Sequence, residues 1–346
     1  MDVTFPLLGL TGHAYGLCTT VGALFMLVLM GIFGYRKQLP PGTVRVFGLI
    51  AIPIGIIGAR LAYCLLNYEI FIQTYENPWL MFAFYDGGLS MTGLLCGLVL
   101  AAWITARLMK VRFAALFDVM SVPLGLFIAC ARFGERFTDI GIGKVVEPNG
   151  ITRLMPWLFV QSQAGINIEF RMAVFIYEAI AGIILFAVML WLFFASNKNK
   201  NARQGDLGLL CFTIYGASQT ILESLRDDGH MLIIFLRVAQ VAAALMPVLA
   251  TMIFAKRYRH ISGKGGKRII LTWLAVLVCV AGLIFLEFSL DGRITWGAPS
   301  MLRDYGIMAV LCILLCAMPC SLYHTLSRCL YRQDHMNVSI PQAEDE

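Results

Sequence analysis

Charge is what this 346-residue chain has least of: Asp, Glu, Lys and Arg make up 14% of it, where a globular domain carries about 25%. With 59% of residues apolar and a mean hydropathy of +0.76, a soluble domain is excluded. A disordered chain is excluded too, because it needs low hydrophobicity and dense charge to stay unfolded. Lys and Arg are missing from Met1 to Gly12, and no small-residue cleavage site follows the first apolar stretch. That stretch is therefore expected to be a permanent helix and not a cleaved signal. No internal repeat stands out, which argues against an inverted-repeat transporter. The ten cysteines lie within or beside apolar stretches, where a thiol behaves as a small hydrophobe, so no disulfide framework is implied. Cys312, Cys316, Cys320 and His324 recur every four residues and share a helix face. One stripe cannot surround an ion and Pro319 bends it, so no metal and no cofactor are expected.

What is abundant is apolar length. A bilayer-spanning helix needs about 20 mainly apolar residues, and nine stretches qualify: roughly 14–34, 46–67, 87–106, 114–131, 172–195, 207–225, 231–255, 269–290 and 305–327. The expected fold class is an all-α polytopic membrane protein. Of the 27 Lys and Arg, 17 collect in loops on one side, from Arg36, Lys37 and Arg45 through Lys256–Arg268 to Arg328 and Arg332. The positive-inside bias then puts the N-terminus outside and the C-terminus in the cytoplasm. These loops, facing an anionic leaflet, account for the net charge of +6 without any nucleic acid. The basic loop around Ser-Gly-Lys-Gly-Gly divides the chain into a seven-span core at 1–257, a cytoplasmic linker at 258–268, a two-helix transmembrane appendage at 269–328 and a polar tail at 329–346. Segment 132–171, rich in Gly, Pro and Asn and too polar to span, is expected to cap the outer face of the core.

The informative residues are the polar ones placed where they are costly. An Arg at mid-bilayer is disfavoured by roughly 2.5–3.5 kcal/mol, so Arg60 in GIIGARLAYCLLN must meet a partner or a wet cavity. Near the outer ends of spans three to seven stand Asp86, Arg132, Glu135, Arg136, Asp139, Tyr177, Glu178, Glu223, Arg226, Asp227, Asp228 and Arg237. Such a collection suits a cavity for a phospholipid head group: guanidinium grips phosphate in a fork, and carboxylates hold the guanidinium in place. In YDGGLSMTGLLCG, Gly87, Gly88, Gly93 and Gly97 let backbone approach a neighbouring helix or a ligand. ARFGERFTDIGIGK sets Gly134, Gly141 and Gly143 among charged groups.

The order of these landmarks resembles that of the prolipoprotein diacylglyceryl transferases of bacterial inner membranes. It runs from Tyr15-Gly16 through GARLAYCLLN, Asn77-Pro78 and YDGGLSMTG to Ala131-Arg132-Phe133-Gly134 with Gly143. Tyr177-Glu178, Tyr215-Gly216, ILESLRDD and Gln240 follow. The resemblance covers about residues 12–260 and leaves the last two spans outside it. It implies a seven-helix transferase-like core in a multi-pass inner-membrane protein. That core would bind phosphatidylglycerol or a related phospholipid and move its diacylglyceryl group onto the cysteine thiol of a lipobox-bearing lipoprotein precursor, releasing glycerol phosphate. Matching positions carry Tyr15, Arg132, Gly143 and Glu223 over as lipid-binding residues, with Arg226 a supporting cation.

The chain departs from the family pattern at three points. Thr92 stands where the family places a His after the GG-[LM]-S run, Glu135 replaces an Asn, and Gln219 replaces an Arg four residues before the pocket Glu. A hydroxyl cannot accept a proton near neutral pH as imidazole can. That leaves Asp86, Glu135 and Asp139 as candidate bases, and a thiol with pKa about 8.5 does not demand a strong one. Two alternatives stand beside transfer to a thiol: the same fold with a changed donor or acceptor, or a noncatalytic lipid-binding membrane protein.

Overall fold

The computed structural model describes residues 4–7, 10–68, 71, 78–82, 88–138, 140–148, 150–164, 167–198, 203–227, 232–233, 236–262, 266–294, 296 and 300–338. Asn77, Asp228 and the candidate bases Asp86 and Asp139 lie outside the described residues.

A long helix occupies each apolar stretch: α1 (Ala14–Arg36), α2 (Thr43–Leu66), α3 (Met91–Leu108), α4 (Phe113–Gly134), α5 (Val174–Lys198), α6 (Asp206–Leu225), α7 (Val238–Ser262), α8 (Gly266–Leu290) and α9 (Met301–Val338). Eight of the nine are long and apolar enough to cross a membrane, and the chain is a multi-pass membrane protein. The exception, α6, has the length but carries Asp206, Gln219 and Glu223 among its buried residues. It spends its polar side on neighbouring helices.

Helix ends shift where local chemistry overrides apolar length. The third span, expected from 87, begins at Met91 because Ser90 caps it, its side chain accepting from the Gly93 N–H at 3.5 Å. The seventh, expected over 231–255, starts at Val238, after two short paired strands, and runs through Lys256, Arg257 and Arg259 to Ser262. The next helix starts at Gly266, so most of the segment expected as a linker is helical, as is the first part of the expected tail, through Val338.

The bundle is built around α4, its most buried helix, which packs on α1, α3, α5 and α6. Close approach to α5 depends on glycine: a Cβ on Gly125 would sit 2.6 Å from the Gly182 carbonyl oxygen. The α2–α3 contact works in the same way, since a Cβ on Gly58 would come within 2.8 Å of the Gly93 carbonyl. Helices α8 and α9 are not detached, for α9 packs on α6, α7 and α8.

Strands sit at the same end of the bundle as the C-terminus of α4, beginning with β1 (Thr4–Leu7) and β2 (Leu10–His13), which pair ahead of α1. Segment 132–171, expected as a long loop capping the outer face, carries most of a three-stranded antiparallel sheet, β3 (Ile142–Val146), β4 (Phe159–Ala164) and β5 (Asn167–Ala173), in the order β3-β5-β4. Its β3 forms an isolated bridge from Gly143 to Arg226, and the Asp227 N–H donates to the Ile142 carbonyl at 2.9 Å. The sheet thereby meets the end of α6.

At the opposite end, Asp118 of α4 accepts the backbone N–H groups of Gly205 at 2.7 Å and Gly208 at 2.9 Å. These are start-of-helix donors that α6 cannot satisfy itself, and Asp206 beside them pairs with Arg257 of α7. Replacing Asp118 with Ala strands two buried donors, an expected loss of about 1–3 kcal/mol. A clear drop of the thermal unfolding midpoint in detergent for Asp118→Ala, partly recovered in Asp118→Asn, checks this seat for α6.

Candidate functional site

A cavity of about 470 Å³ lies between α1, α2, α3, α4, α6 and α7. Most of its wall is apolar, from Met26 and Leu27 of α1, Phe47 of α2, Leu94 and Leu98 of α3 and Phe127 of α4. The wall reaches the surface at Ile52, Ile56 and Leu89, which are exposed. On a membrane-spanning bundle, exposed apolar residues at the cavity wall make a side opening toward the hydrocarbon.

One end of the cavity is ionic. Arg132, Glu135, Glu223, Arg226 and Arg237 line it, with Glu178 directly behind, and all six are less than one-tenth exposed. Arg132 ends α4, and its Nη1 donates to Glu135 Oε1 at 2.6 Å, one turn on. Glu178, in the second turn of α5, accepts from Arg226 Nη1 at 3.1 Å and lies 3.3 Å from Arg132 Nε. Arg226 Nη2 is 3.5 Å from Glu135 Oε2. Arg237, just ahead of α7, has Nη1 3.8 Å from Glu223 Oε1 and donates from Nη2 to the Arg226 carbonyl at 2.8 Å. Burial opposes the charge on Arg226, but Glu178 and Glu135 outweigh it and hold the guanidinium above its ordinary pKa.

Gln219 completes the network. Its amide donates to Glu178 Oε1 at 2.5 Å and Glu223 Oε2 at 3.1 Å, spanning two carboxylates where the resemblance expects a cation. Three guanidinia face three carboxylates, so the buried set is formally neutral when all are ionised. Two atoms in it lack hydrogen bonds: Glu135 Oε2, and Arg132 Nε, which is near Glu178 but not aligned with it. Both lie inside the network: Arg132 Nε against Glu178, and Glu135 Oε2 against Gly141 and 3.5 Å from Arg226 Nη2.

The structure brings Tyr15, Arg132, Glu135, Glu223 and Arg226 together on this cavity, and Thr92 and Gln219 line it as well. Gly143 stands apart from the lining. A Cβ there would lie 2.6 Å from Val174 Cγ2 and 2.8 Å from the Leu225 carbonyl, so its bareness lets β3 reach Arg226. Arg136 is exposed, and Asp227 pairs with Arg171 at 3.2 Å outside the network. Arg60 is buried in α2, donating to the carbonyls of Met81 at 3.0 Å and Gly88 at 3.3 Å, which ties it to the segment ahead of α3. Glu178, expected from the sequence only as one of several carboxylates holding a guanidinium, is the one that joins Arg132 to Arg226. An isolated carboxylate in a 25-residue apolar helix was the available signal.

A family model described as prolipoprotein diacylglyceryl transferase matches residues 2–256. Similar proteins bear the name phosphatidylglycerol--prolipoprotein diacylglyceryl transferase. One from Streptococcus equi subsp. zooepidemicus is 27% identical over 259 residues, covering 75% of this chain and 95% of that protein. A Symbiobacterium thermophilum protein is 28% identical over 248 residues, 70% of this chain and 87% of its own length. One from Halalkalibacterium halodurans is 29% identical over 269 residues, 78% and 90% of the two chains.

Glu178 touches both Arg132 and Arg226, and removing one partner of a buried ion pair costs about 3–5 kcal/mol because the other charge is stranded. Glu178→Ala is therefore expected to lower the unfolding midpoint in detergent more than Glu223→Ala. Equal or reversed effects would contradict the central place given to Glu178.

Proposed function

This chain belongs to the prolipoprotein diacylglyceryl transferase family, and on that premise we propose that it moves the diacylglyceryl group of phosphatidylglycerol onto a lipobox cysteine in lipoprotein biosynthesis. The positive-inside bias supports a site end facing outward from a bacterial inner membrane, where such precursors emerge.

Support for the reaction comes from a neutral, buried ionic end on an otherwise apolar cavity that opens sideways. Acyl chains enter through the side opening and lie along the apolar wall, while the phosphate is drawn to Arg132 and Arg226. The guanidinia of Arg132 and Arg226 donate to phosphate oxygens, and the carboxylate of Glu135 accepts from a head-group hydroxyl; all three residues line the cavity. The cysteine sulfur then attacks the glycerol carbon that carries the phosphate ester. A C–S bond forms, the C–O bond to phosphate breaks, and glycerol phosphate leaves with the bonding pair. Guanidinia already in place stabilise the charge gathering on that leaving group without reorganising.

The thiol proton needs an acceptor, and Thr92 at the cavity wall is a poor one. Glu135 is the candidate base among the described residues. The reading is tested with labelled phosphatidylglycerol and a lipobox peptide, the label being followed onto Cys. Arg132→Ala is expected to cut transfer by about 10²-fold or more, and undiminished transfer in that variant would overturn the assignment. Joining Thr92→His with Gln219→Arg, which restores the family pattern at two of the three departures, is expected to raise the rate by about 10²-fold; no gain would show that Thr92 does not limit the reaction. The formal neutrality of the network favours one second reading, a donor other than phosphatidylglycerol. Activity with phosphatidylethanolamine but none with phosphatidylglycerol would select it.

A further inference from the structure

Helices α8 and α9 lie beyond the residues that match the family, yet they reach the back of the site. Gln240 of α7 uses its amide nitrogen twice, donating to the Thr220 carbonyl of α6 at 3.2 Å and to Glu287 Oε1 of α8 at 2.5 Å. Tyr305 of α9 donates its hydroxyl to the Ser224 carbonyl at 3.0 Å. Ser224 is in the last turn of α6, where carbonyls have no partner within the helix. The ring of Tyr305 also lies 5.3 Å from the Lys144 ammonium, next to Gly143, whose strand bridges Arg226.

These contacts fall on the stretch of α6 that feeds the cavity. Thr220 and Ser224 alternate with Gln219, Glu223 and the following Arg226, so whatever fixes the first two sets where the other three project. Glu287 is moreover the only acidic residue in the 25 residues of α8, and a carboxylate in such a helix is retained only against a partner. An apolar residue would satisfy packing alone, since Ile221 and Val248 already pack against a cluster formed by α8 and α9.

We propose that the C-terminal helix pair is a buttress for the site, in which Glu287, acting through Gln240, and Tyr305 are positioning residues that hold the end of α6. With that end held, Glu223 keeps its place against Gln219 and Arg237, and Arg226 meets the lipid phosphate in register. The inference rests on the transferase reading for what the site binds, but its geometry is that of α6, α7, α8 and α9 alone.

The test uses the full chain with Tyr305→Phe, Glu287→Ala and Glu287→Gln, and Leu277→Ala on the exposed face of α8 as a control. Two readouts are taken: KM and kcat for phosphatidylglycerol with a lipobox peptide, and retention of phosphatidylglycerol by purified protein in native mass spectrometry, which needs no turnover. Tyr305→Phe and Glu287→Ala are expected to raise the lipid KM and weaken retention about three- to tenfold, the scale of one lost hydrogen bond. Glu287→Gln keeps an acceptor oxygen for Gln240 and is expected to restore both within about twofold of the parent. Leu277→Ala is expected to change neither. Should Glu287→Ala fail to fold, Tyr305→Phe, which loses one hydroxyl and keeps the ring, decides the matter. Retention and KM unchanged in folded Tyr305→Phe, or Glu287→Gln as impaired as Glu287→Ala, would overturn the buttress. Retention that falls in Tyr305→Phe while the parent chain transfers nothing would leave the buttress standing and remove the transferase reading.

Discussion

A guanidinium inside an apolar bundle must be met by carboxylates, and that demand organises one end of this molecule. Arg132 comes from α4, Glu178 from α5, Glu223 from α6, while Arg226 and Arg237 flank α6 and α7. Not one of these charges is tolerable alone, so the helices must be held at fixed heights and spacings for the network to close. The bare contact between Gly125 and Gly182 brings α4 and α5 close enough, and Asp118 seats the far end of α6. Structural economy and recognition share these residues, because groups that neutralise one another also line the cavity.

Much of the fold was legible in the sequence because a bilayer demands apolar length, and a long helix occupies the greater part of each of the nine apolar stretches. Boundaries were less legible, since Ser90 capping α3 and the short strands ahead of α7 are matters of local hydrogen bonding that apolar length does not register. The sheet in 132–171 was missed although β5 alternates, with Ile168, Phe170 and Met172 separated by Glu169 and Arg171. In the site, Arg132, Glu135, Glu223 and Arg226 stood out as costly charges. The bridging amide of Gln219 did not, because its two carboxylates lie on different helices and only tertiary packing joins them. Gly143 was carried over from the resemblance alone; in the fold its strand bridges Arg226 while the glycine itself is not among the cavity-lining residues.

Two of the positions where the resemblance implies other residues bear on the charge of the site: it implies an Arg where Gln219 stands and an Asn where Glu135 stands, and the set present balances without a ligand. Recognition of a phosphate in the proposed reaction then depends on fork geometry more than on a positive field, which puts a premium on the placement of Arg132 and Arg226. A helix pair leaning on the end of α6 is consistent with that need, and it lies outside the part of the chain that matches the family.

The central claim is that buried, mutually neutralised charges at one end of a side-opening cavity receive a phospholipid head group. A cryo-electron microscopy map of the chain in nanodiscs containing phosphatidylglycerol tests it most directly. The expected result is head-group density against Arg132 and Arg226 inside the cavity, with acyl density leaving past Ile52 and Ile56. A cavity empty of lipid, with the guanidinium of Arg132 turned out to bulk water away from Glu178, would contradict it.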